Sequence, residues 1–238
     1  MAPRAFDCAC PIGRPEVQRH ADGMVKAQRV AASDGVLLDP VSSEWDSVAA
    51  SELILQPTPI TAQPSLYVQE KWKVQPYGLV QQAQVRAAHN GELLYFWLSW
   101  ADPTNNDGIR DTDQFPDATA VLFPVNGDAP LQSMGSPQAP VNAWYWRPDL
   151  EEPFSVTAQG TGTTRRTHDS DLRAQGVYGE SAWRVVIRRR LASDGEGYVS
   201  LGPGTNGKVG FAIWQGGNQE RGGLKAVTLD WQPLEIEA

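Results

Sequence analysis

Met134 has a side chain that could serve as a soft metal ligand. It is the one methionine beyond the first 24 residues, and it opens the segment "MGSPQAPVNAWYW", where a Gly-Ser-Pro turn leads into a Trp-rich stretch. A thioether sulfur is a soft, polarizable ligand, but an isolated methionine also serves as a gap-filler in apolar cores. Both interpretations are compatible with the position of Met134 in the sequence.

Lys225 is a second side chain whose type and position could bind a metal. In "GGLKAVTLDW" the alternation of a strand places Lys225, Val227 and Leu229 on one face, with Trp231 continuing it. An ammonium on so apolar a face is unfavourable, and desolvation lowers the pKa of a lysine. A neutral amine has a lone pair that can bind a metal. The alternative is a lysine that extends from a strand end into solvent.

The sequence contains no recognisable motif for other kinds of catalysis. His20, His89 and His168 fall in the N-terminal segment, at a hairpin tip and in a polar loop, and no Gly-x-Ser-x-Gly, P-loop, Rossmann or His-Glu-x-x-His motif occurs. The acidic stretch "DPTNNDGIRDTDQFPD" suggests calcium, but an EF-hand would need acidic ligands where Pro103 and Gln114 stand. A solvated or entry loop, a different calcium site and an interface remain open for it.

Charge and cysteine content exclude further classes. The chain has 28 acidic and 20 basic residues, a net charge of −8, which disfavours nucleic-acid binding. The basic run 188–190 ends a strand pattern and is either solvated or a docking patch for an acidic partner. Cys8 and Cys10 cannot supply the four thiolates of an iron–sulfur cluster, and no Cys-x-x-Cys-His occurs. They are free thiols or a bridge to another chain.

Targeting signals are not visible. No run approaches the ~18 apolar residues of a membrane helix, and the first 30 residues lack an apolar signal-peptide core. We therefore expect no membrane span. The chain is either cytoplasmic, exported with a partner, or the remainder after removal of its signal.

Strand patterns dominate the rest of the chain. "VQQAQVRAA" alternates, "HNGE" supplies an Asn-Gly turn, and "LLYFWLSW" is a nearly continuous apolar run, which together predict a hairpin with a central second strand. Further strand candidates are "ATAVLFPV", "VNAWYW", "FSVTAQG", "AWRVVIRRRL", "KVGFAIW" and "LKAVTLDWQPLEI". A short helix is possible at Ser43. The sequence predicts one all-β domain, a sandwich or barrel, over residues 41–238, preceded by an irregular arm over residues 1–40.

Four segments in order carry a resemblance to a known family: "DTDQF…ATAVLFP", "MGSPQAPVNAWYW", "AWRVVIRRRL" and "FAIWQGGNQERGGLKAVTLDW". From about Asp39 to the C-terminus the chain resembles the haem-b γ subunits of the ethylbenzene dehydrogenase, dimethylsulfide dehydrogenase and steroid C25 dehydrogenase group. The resemblance implies an immunoglobulin-like antiparallel β-sandwich with few short helices and one non-covalent haem b. It implies axial ligation by Met134 and Lys225.

The same resemblance implies candidate walls for the haem pocket. These are Phe123, Trp144 and Trp214, with Asn142 as a polar contact. The alternative for each of them is an ordinary core or structural residue. With both axial positions filled, such a haem would pass electrons and leave no open site for substrate.

The partners implied by the resemblance are a molybdenum-containing α subunit, an iron–sulfur β subunit and a soluble cytochrome c-like acceptor. Residues 1–40 would wrap the partner subunits, and the complex would be periplasmic, exported with α. Catalysis would occur on another chain, with hydroxylation of a hydrocarbon or sterol as the favoured reaction. The alternative is a haem-free β-sandwich module whose exposed tryptophans stack on carbohydrate.

Overall fold

A computed structural model describes residues 23–109, 111 and 113–238. Two α-helices are present in this part of the chain, α1 (Asp34–Leu38) and α2 (Leu66–Trp72), with short 3-10 turns at Ser43–Ser47, Ile60–Ala62 and Gly216–Asn218. The strands are β1 Val25–Arg29, β2 Ala50–Ile54, β3 Gln56–Pro57, β4 Gln82–His89, β5 Leu93–Ala101, β6 Ala118–Pro124, β7 Val141–Trp146, β8 Phe154–Ala158, β9 Arg165–Thr167, β10 Arg173–Gly179, β11 Ala182–Arg190, β12 Asn206–Trp214, β13 Ala226–Val227 and β14 Gln232–Ile236. The all-β prediction is confirmed.

The strands form two packed layers that share β12. Along the sheet the order is β10-β11-β5-β4-β1-β14-β12-β6-β7-β8-β9, with β2 beside β4 and with β13 between β12 and β3. Residues 206–209 pair with β14 in the first layer, whereas residues 210–214 pair with β6 in the second. Since β12 passes from one layer to the other, the chain forms a β-sandwich.

The core between the layers is aromatic. Phe96 of β5 lies 5.8 Å from Phe123 of β6 and 6.0 Å from Trp144 of β7, measured between ring centres. The predicted apolar run of β5 is buried on both faces. Tyr95 and Trp97 project from its other side into a second cluster beneath α1. The prediction that this strand is central in its sheet is confirmed.

Part of the segment predicted as an irregular arm belongs to the sheet. In β1, Val25 and Ala27 are buried, and the strand lies between β4 and β14, parallel to both. The expectation of an irregular arm over residues 1–40 is therefore wrong for residues 25–29. Because β1 is parallel to both of its neighbours, the sheet is mixed, whereas an antiparallel sheet was predicted. The alternation over five residues was too short to distinguish from a loop. Residues 1–22, with Cys8, Cys10 and His20, lie outside the described residues.

Candidate functional site

A cavity of about 490 Å³ lies on the outer face of the second layer, within the size range of ligand pockets. Its floor is built by small and apolar side chains of β6, β7, β8 and β12, namely Ala120, Leu122, Ala143, Val156 and Ala212. Tyr145, Phe154 and Trp214 add aromatic surface, and residues 58–64, 131–134, 161–164 and 222–228 contribute the walls. The alternation of the strands turns these side chains away from the core between the layers.

Met134 enters the cavity from the turn between β6 and β7. Its φ is 59°, in the left-handed region that non-glycine residues rarely occupy. The backbone holds it there: its N–H donates to Leu131 O at 3.0 Å, and its carbonyl accepts from Gly160 N–H at 3.0 Å. Gly135 follows at φ 85°, where a Cβ would lie 2.8 Å from Ala139 O. These backbone hydrogen bonds and the glycine hold the turn in one conformation, which fixes the direction of the methionine side chain.

Lys225 enters the same cavity just before β13. Its Nζ lies 4.9 Å from the centre of the Trp214 ring, and Trp214 Nε1 donates to Gly222 O at 3.0 Å. Lys225 and Val227 line the cavity and Ala226 between them is buried, as the alternation predicted. Thr228, predicted on the face of Ala226, lines the cavity as well, because β13 ends at Val227. Burial lowers the pKa of Lys225 to about 8. The amine is therefore much easier to hold in its neutral, ligating form than an ordinary lysine.

The loop before Lys225 is anchored by residues far away in the sequence. Thr58 N–H donates to Lys225 O at 3.0 Å, and its hydroxyl donates to Gly223 O at 2.5 Å. Gln63 Nε2 donates to the same Gly223 carbonyl at 2.9 Å. A Cβ on Gly223 would lie 2.0 Å from Gln63 Oε1, so a larger residue there would displace the Gln63 side chain. These bonds fix the backbone that points Lys225 into the cavity.

Met134 and Lys225 approach the cavity from opposite ends of its floor. β13 pairs with the last residues of β12, and Met134 lies beside the start of β7. Because β6 is antiparallel to both β12 and β7, the end of β12 and the start of β7 lie at opposite ends of the sheet. A thioether and an amine thus face one apolar space from two sides.

The other predicted wall residues divide between two faces of the sheet. Trp214 lines the cavity, but Phe123 and Trp144 pack against each other in the core between the layers, 4.6 Å apart. Asn142 is buried on that side too, where it donates to Ser155 Oγ at 2.8 Å. The pocket roles predicted for Phe123, Asn142 and Trp144 are therefore corrected: each lies one position away from a residue of the cavity floor or wall.

The residues that sequence reasoning missed are the neighbours of those three. Leu122, Ala143 and Tyr145 line the cavity in their place. The available signal was the run of small residues at alternate positions, because a strand that packs only against protein would place larger side chains there. Thr58 and Gln63 gave no signal, since their role depends on a contact with a loop about 160 residues later.

A buried carboxylate braces the loop that leads from β12 towards Lys225. Asp117 accepts hydrogen bonds from Trp183 Nε1 at 2.8 Å and from Gly216 N–H at 2.8 Å. Burial raises the pKa of Asp117 to about 7, and the nearby charge of Asp102 contributes to this rise. The carboxyl group therefore exchanges its proton near neutral pH.

The alternative metal and carbohydrate sites find less support in the described residues. No group of three or more His, Cys, Asp or Glu side chains placed to hold a metal ion occurs in residues 23–109, 111 and 113–238. His89 is buried at the end of β4 and His168 is exposed. All nine tryptophans are described; eight are buried and Trp231 is half-buried. An exposed tryptophan platform for sugar stacking is therefore not formed.

Comparisons with known proteins point to one family. A family described as "Ethylbenzene dehydrogenase" matches residues 42–170 and 164–226. The chlorate reductase subunit gamma of Ideonella dechloratans is 34% identical over 223 residues, which cover 93% of this chain and 87% of that protein. The dimethylsulfide dehydrogenase subunit gamma of Rhodovulum sulfidophilum is 37% identical over 158 residues, covering 63% of this chain and 59% of that protein.

Two further similarities concern a haem protein and a solved structure. A protein of Haloferax mediterranei, named as a candidate respiratory nitrate reductase heme subunit, ORF7, is 37% identical over 200 residues, covering 81% of this chain and 66% of its own length. A carbohydrate-binding module of family 9 from Caldicellulosiruptor kristjanssonii, in complex with glucose, has a TM-score of 0.49 and 11% identity, covering 90% of this chain and 96% of that one. No helix in the described part of the chain is long and apolar enough to span a membrane.

Proposed function

Because the chain belongs to the ethylbenzene dehydrogenase family, we propose that it is the electron-transfer subunit of a molybdenum oxidoreductase complex and binds one non-covalent haem b. One observation carries the proposal: Met134 and Lys225 line the same apolar cavity from opposite ends of its floor. A bound haem would supply one-electron transfer there. Two gamma subunits of oxidoreductases and a protein named as a heme subunit are among the relatives, which supports this cofactor.

The donor set suits such a cofactor. Met134 supplies a neutral thioether, which favours reduced iron, and Lys225 supplies an amine whose pKa is already lowered to about 8 by burial. Neither ligand adds negative charge to the cavity. If Met134 and Lys225 both bound the iron, they would leave no position for a substrate, and the group would serve as an electron carrier rather than a catalyst.

The side chains of the cavity floor and sides determine the shape of the site and make it apolar. Ala120, Ala143 and Ala212 are small and leave open space above the centre of the sheet, between Met134 and Lys225, for a bulky ligand. The ring centre of Tyr145 lies 4.7 Å from that of Phe154 and 5.3 Å from that of Trp214, so the three rings form one aromatic side of the cavity. An apolar, aromatic environment excludes water and lowers the local dielectric, which is one of the means by which a protein sets a haem potential.

The remaining assignments follow from the family. We expect a molybdenum-containing α subunit and an iron–sulfur β subunit as partners, a soluble cytochrome c-like protein as the other redox partner, and a periplasmic location reached together with α. The substrate would be chosen on α. Hydroxylation of a hydrocarbon or sterol stays a prediction, because the relatives are named for chlorate, nitrate and dimethylsulfide.

The deciding experiment is spectroscopy of the full chain after reconstitution with haem. We expect one haem per chain, a b-type pyridine haemochrome, sharp α and β bands on reduction and no binding of carbon monoxide. Met134→Leu and Lys225→Leu should each alter the reduced spectrum and open a position to carbon monoxide. Met24→Leu and Lys208→Leu change the same residue types at exposed positions and should behave like wild type. Failure of the wild-type chain to take up haem would refute the proposal, as would unchanged spectra of both ligand variants.

A further inference from the structure

We propose that Arg166 forms an anion subsite at the edge of the cavity and binds the carboxylate groups of the ligand. The inference rests on the proposed function, since a b-type haem carries two carboxylate side chains on its ring. It assigns to a residue of this chain the recognition of the charged edge of the cofactor, which is distinct from axial ligation by Met134 and Lys225.

The strand register places Arg166 on the cavity side of the sheet. β9 pairs with β8, and Arg166 lies opposite Val156, which lines the cavity floor. Residues directly opposite each other in an antiparallel pair project from the same face. β9 is also the last strand of its layer. Arg166 is therefore at the rim, where a ligand lying in the cavity would meet solvent.

The guanidinium group is held in place by an aromatic ring of the cavity. Its central carbon lies 3.8 Å from the centre of the Phe154 ring, and Phe154 lines the cavity. Stacking of this kind leaves the N–H groups around the rim of the guanidinium plane free to donate. Such a planar fork matches the two oxygens of a carboxylate, with which it forms paired charge-assisted hydrogen bonds.

The side chain of Arg166 is also unpaired within the described part of the chain. Among the residues that the structure describes, neither a hydrogen bond nor an ion pair of its side chain is formed, whereas Arg147 near the same rim is bound to Asp149 through two nitrogens. Burial raises the pKa of the cavity residue Tyr145, and the charges of Arg147 and then Arg166 oppose that rise. The positive charge of Arg166 therefore lies beside the aromatic side of the cavity.

The neighbouring rim residues are compatible with the same ligand chemistry. Thr161 and Thr164 line the cavity on the segment that leads into β9. Their hydroxyl groups can donate hydrogen bonds to a carboxylate that the guanidinium attracts. Lys225 lies across the sheet from β9, beyond β12, and is covered by Trp214 on that side. The charged edge of the ligand is therefore expected at the β9 rim.

Arg165 provides a matched control in the same strand. It is exposed like Arg166, and it pairs with Thr157, whose position alternates with that of Val156. Arg165 therefore projects from the opposite face of the sheet. Replacing either arginine with glutamine removes one positive charge from the same strand, but only Arg166→Gln removes it from the cavity side.

The test compares two forms of the cofactor. Full-length wild type, Arg166→Gln and Arg165→Gln are freed of haem and titrated with haem b and with its dimethyl ester, in which both carboxylates are blocked. We expect Arg166→Gln to weaken binding of haem b roughly 10-fold, as for loss of a charge-assisted hydrogen bond. Binding of the dimethyl ester should be unchanged in all three proteins, and Arg165→Gln should match wild type with both ligands.

The outcomes separate this inference from the proposed function. If Arg166→Gln weakens both forms equally, Arg166 only packs on Phe154 and the subsite is wrong. If Arg165→Gln has the same effect as Arg166→Gln, the effect is one of net charge and the subsite is also wrong. A wild type that binds haem with the spectrum expected for Met134 and Lys225, beside an unchanged Arg166→Gln, overturns the subsite alone. A wild type that binds neither form overturns both proposals.

Discussion

Trp214 packs over Lys225 and also forms a hydrogen bond with the loop that carries it. Its ring centre lies 4.9 Å from Lys225 Nζ, and its indole N–H donates to Gly222 O at 3.0 Å. The aromatic face can interact with the amine in its protonated form, and the hydrogen bond restrains the backbone three residues earlier. One side chain thus controls both the surroundings and the position of the proposed ligand.

Substitutions at Trp214 should separate these two roles. Trp214→Phe keeps an aromatic face and removes the indole donor, so we expect a loss of about 1 kcal/mol in the free energy of unfolding and retention of haem. Trp214→Leu removes both, and we expect haem affinity to fall by at least about 10-fold, the equivalent of 1.4 kcal/mol. Denaturant unfolding and haem titration measure the two effects.

The matched control for Trp214 is Trp97, whose indole N–H donates to Pro40 O at 2.8 Å in the other layer. Trp97→Phe should lower stability by a similar amount and leave haem affinity unchanged. A Trp214→Leu protein that binds haem as tightly as wild type would show that Lys225 is positioned without the indole.

The hydrogen bonds from Thr58 to the Lys225 loop give a second prediction. Thr58→Val removes the hydroxyl that donates to Gly223 O but keeps the shape of the side chain. The Gly223 carbonyl then keeps only Gln63, so we expect the Lys225 loop to loosen and haem to dissociate about 5 to 10 times faster, corresponding to roughly 1 kcal/mol. Transfer of haem to an excess of a haem-scavenging protein measures the rate.

Thr58→Ser restores the donor and should recover most of the wild-type rate. Equal haem dissociation from the valine and serine variants would argue that the hydroxyl has no part in holding the ligand loop. Both variants keep the Thr58 backbone N–H bond to Lys225 O, so β3 and β13 should remain paired.

Filling the cavity provides a third prediction, independent of metal ligation. Ala143 lies at the centre of the floor, and Ala143→Phe would project a ring into the space of about 490 Å³. We expect haem binding to fall by more than about 100-fold, or 2.8 kcal/mol, because the ring occupies the volume of the cofactor. Stability should change by less than about 1 kcal/mol, since the new side chain enters open space rather than the packed core.

Ala143→Ser, which keeps the small volume, should bind haem within about 3-fold of wild type. Absorption titration measures affinity, and thermal unfolding without haem measures stability. Wild-type affinity in Ala143→Phe would place the cofactor elsewhere on the molecule.

The sequence predicted the fold and the proposed ligands through local patterns. The Asn-Gly hairpin before β5, the apolar run of β5 itself and the isolated Met134 are visible without tertiary information. Local alternation also placed Lys225 and Val227 on one face, although the single strand predicted from Leu224 onward is divided into β13 and β14, with Lys225 just before β13. These inferences need only the residues within one element and its turn.

Phe123 and Trp144 were assigned to the cavity walls because alternation divides a strand into two faces without indicating which face packs in the core. Trp144 and Phe123 are large, and the sequence favoured large aromatics as pocket walls, yet they fill the space between the layers. The cavity lies on the face with alanines. Arg166 could not be recognised either, because its role depends on which strand pairs with β8 and on which face it projects from.

Asp117 leads to the last prediction, on the pH dependence of stability. Its pKa is raised from 3.8 to about 7, first by burial and then by the charge of Asp102. Between about pH 4 and 7 the folded protein keeps this proton while the unfolded chain has lost it. The folded state then binds more protons, so the free energy of unfolding must decrease as the pH rises through this range and level off above about pH 7. A shift of this size corresponds to about 4 kcal/mol.

Asp117→Asn removes the titration and should give a shallower fall in stability between pH 4.5 and 7.5. Its amide N–H₂ would face a donor, either Trp183 Nε1 or Gly216 N–H, so we expect the variant to be less stable than wild type at pH 5 by about 1–3 kcal/mol. Asp194→Asn makes the same change at an exposed loop position and should follow the wild-type curve. Urea unfolding of the haem-free proteins at several pH values gives the three curves. Parallel curves for wild type and Asp117→Asn would show that Asp117 is already ionised in the folded protein at low pH.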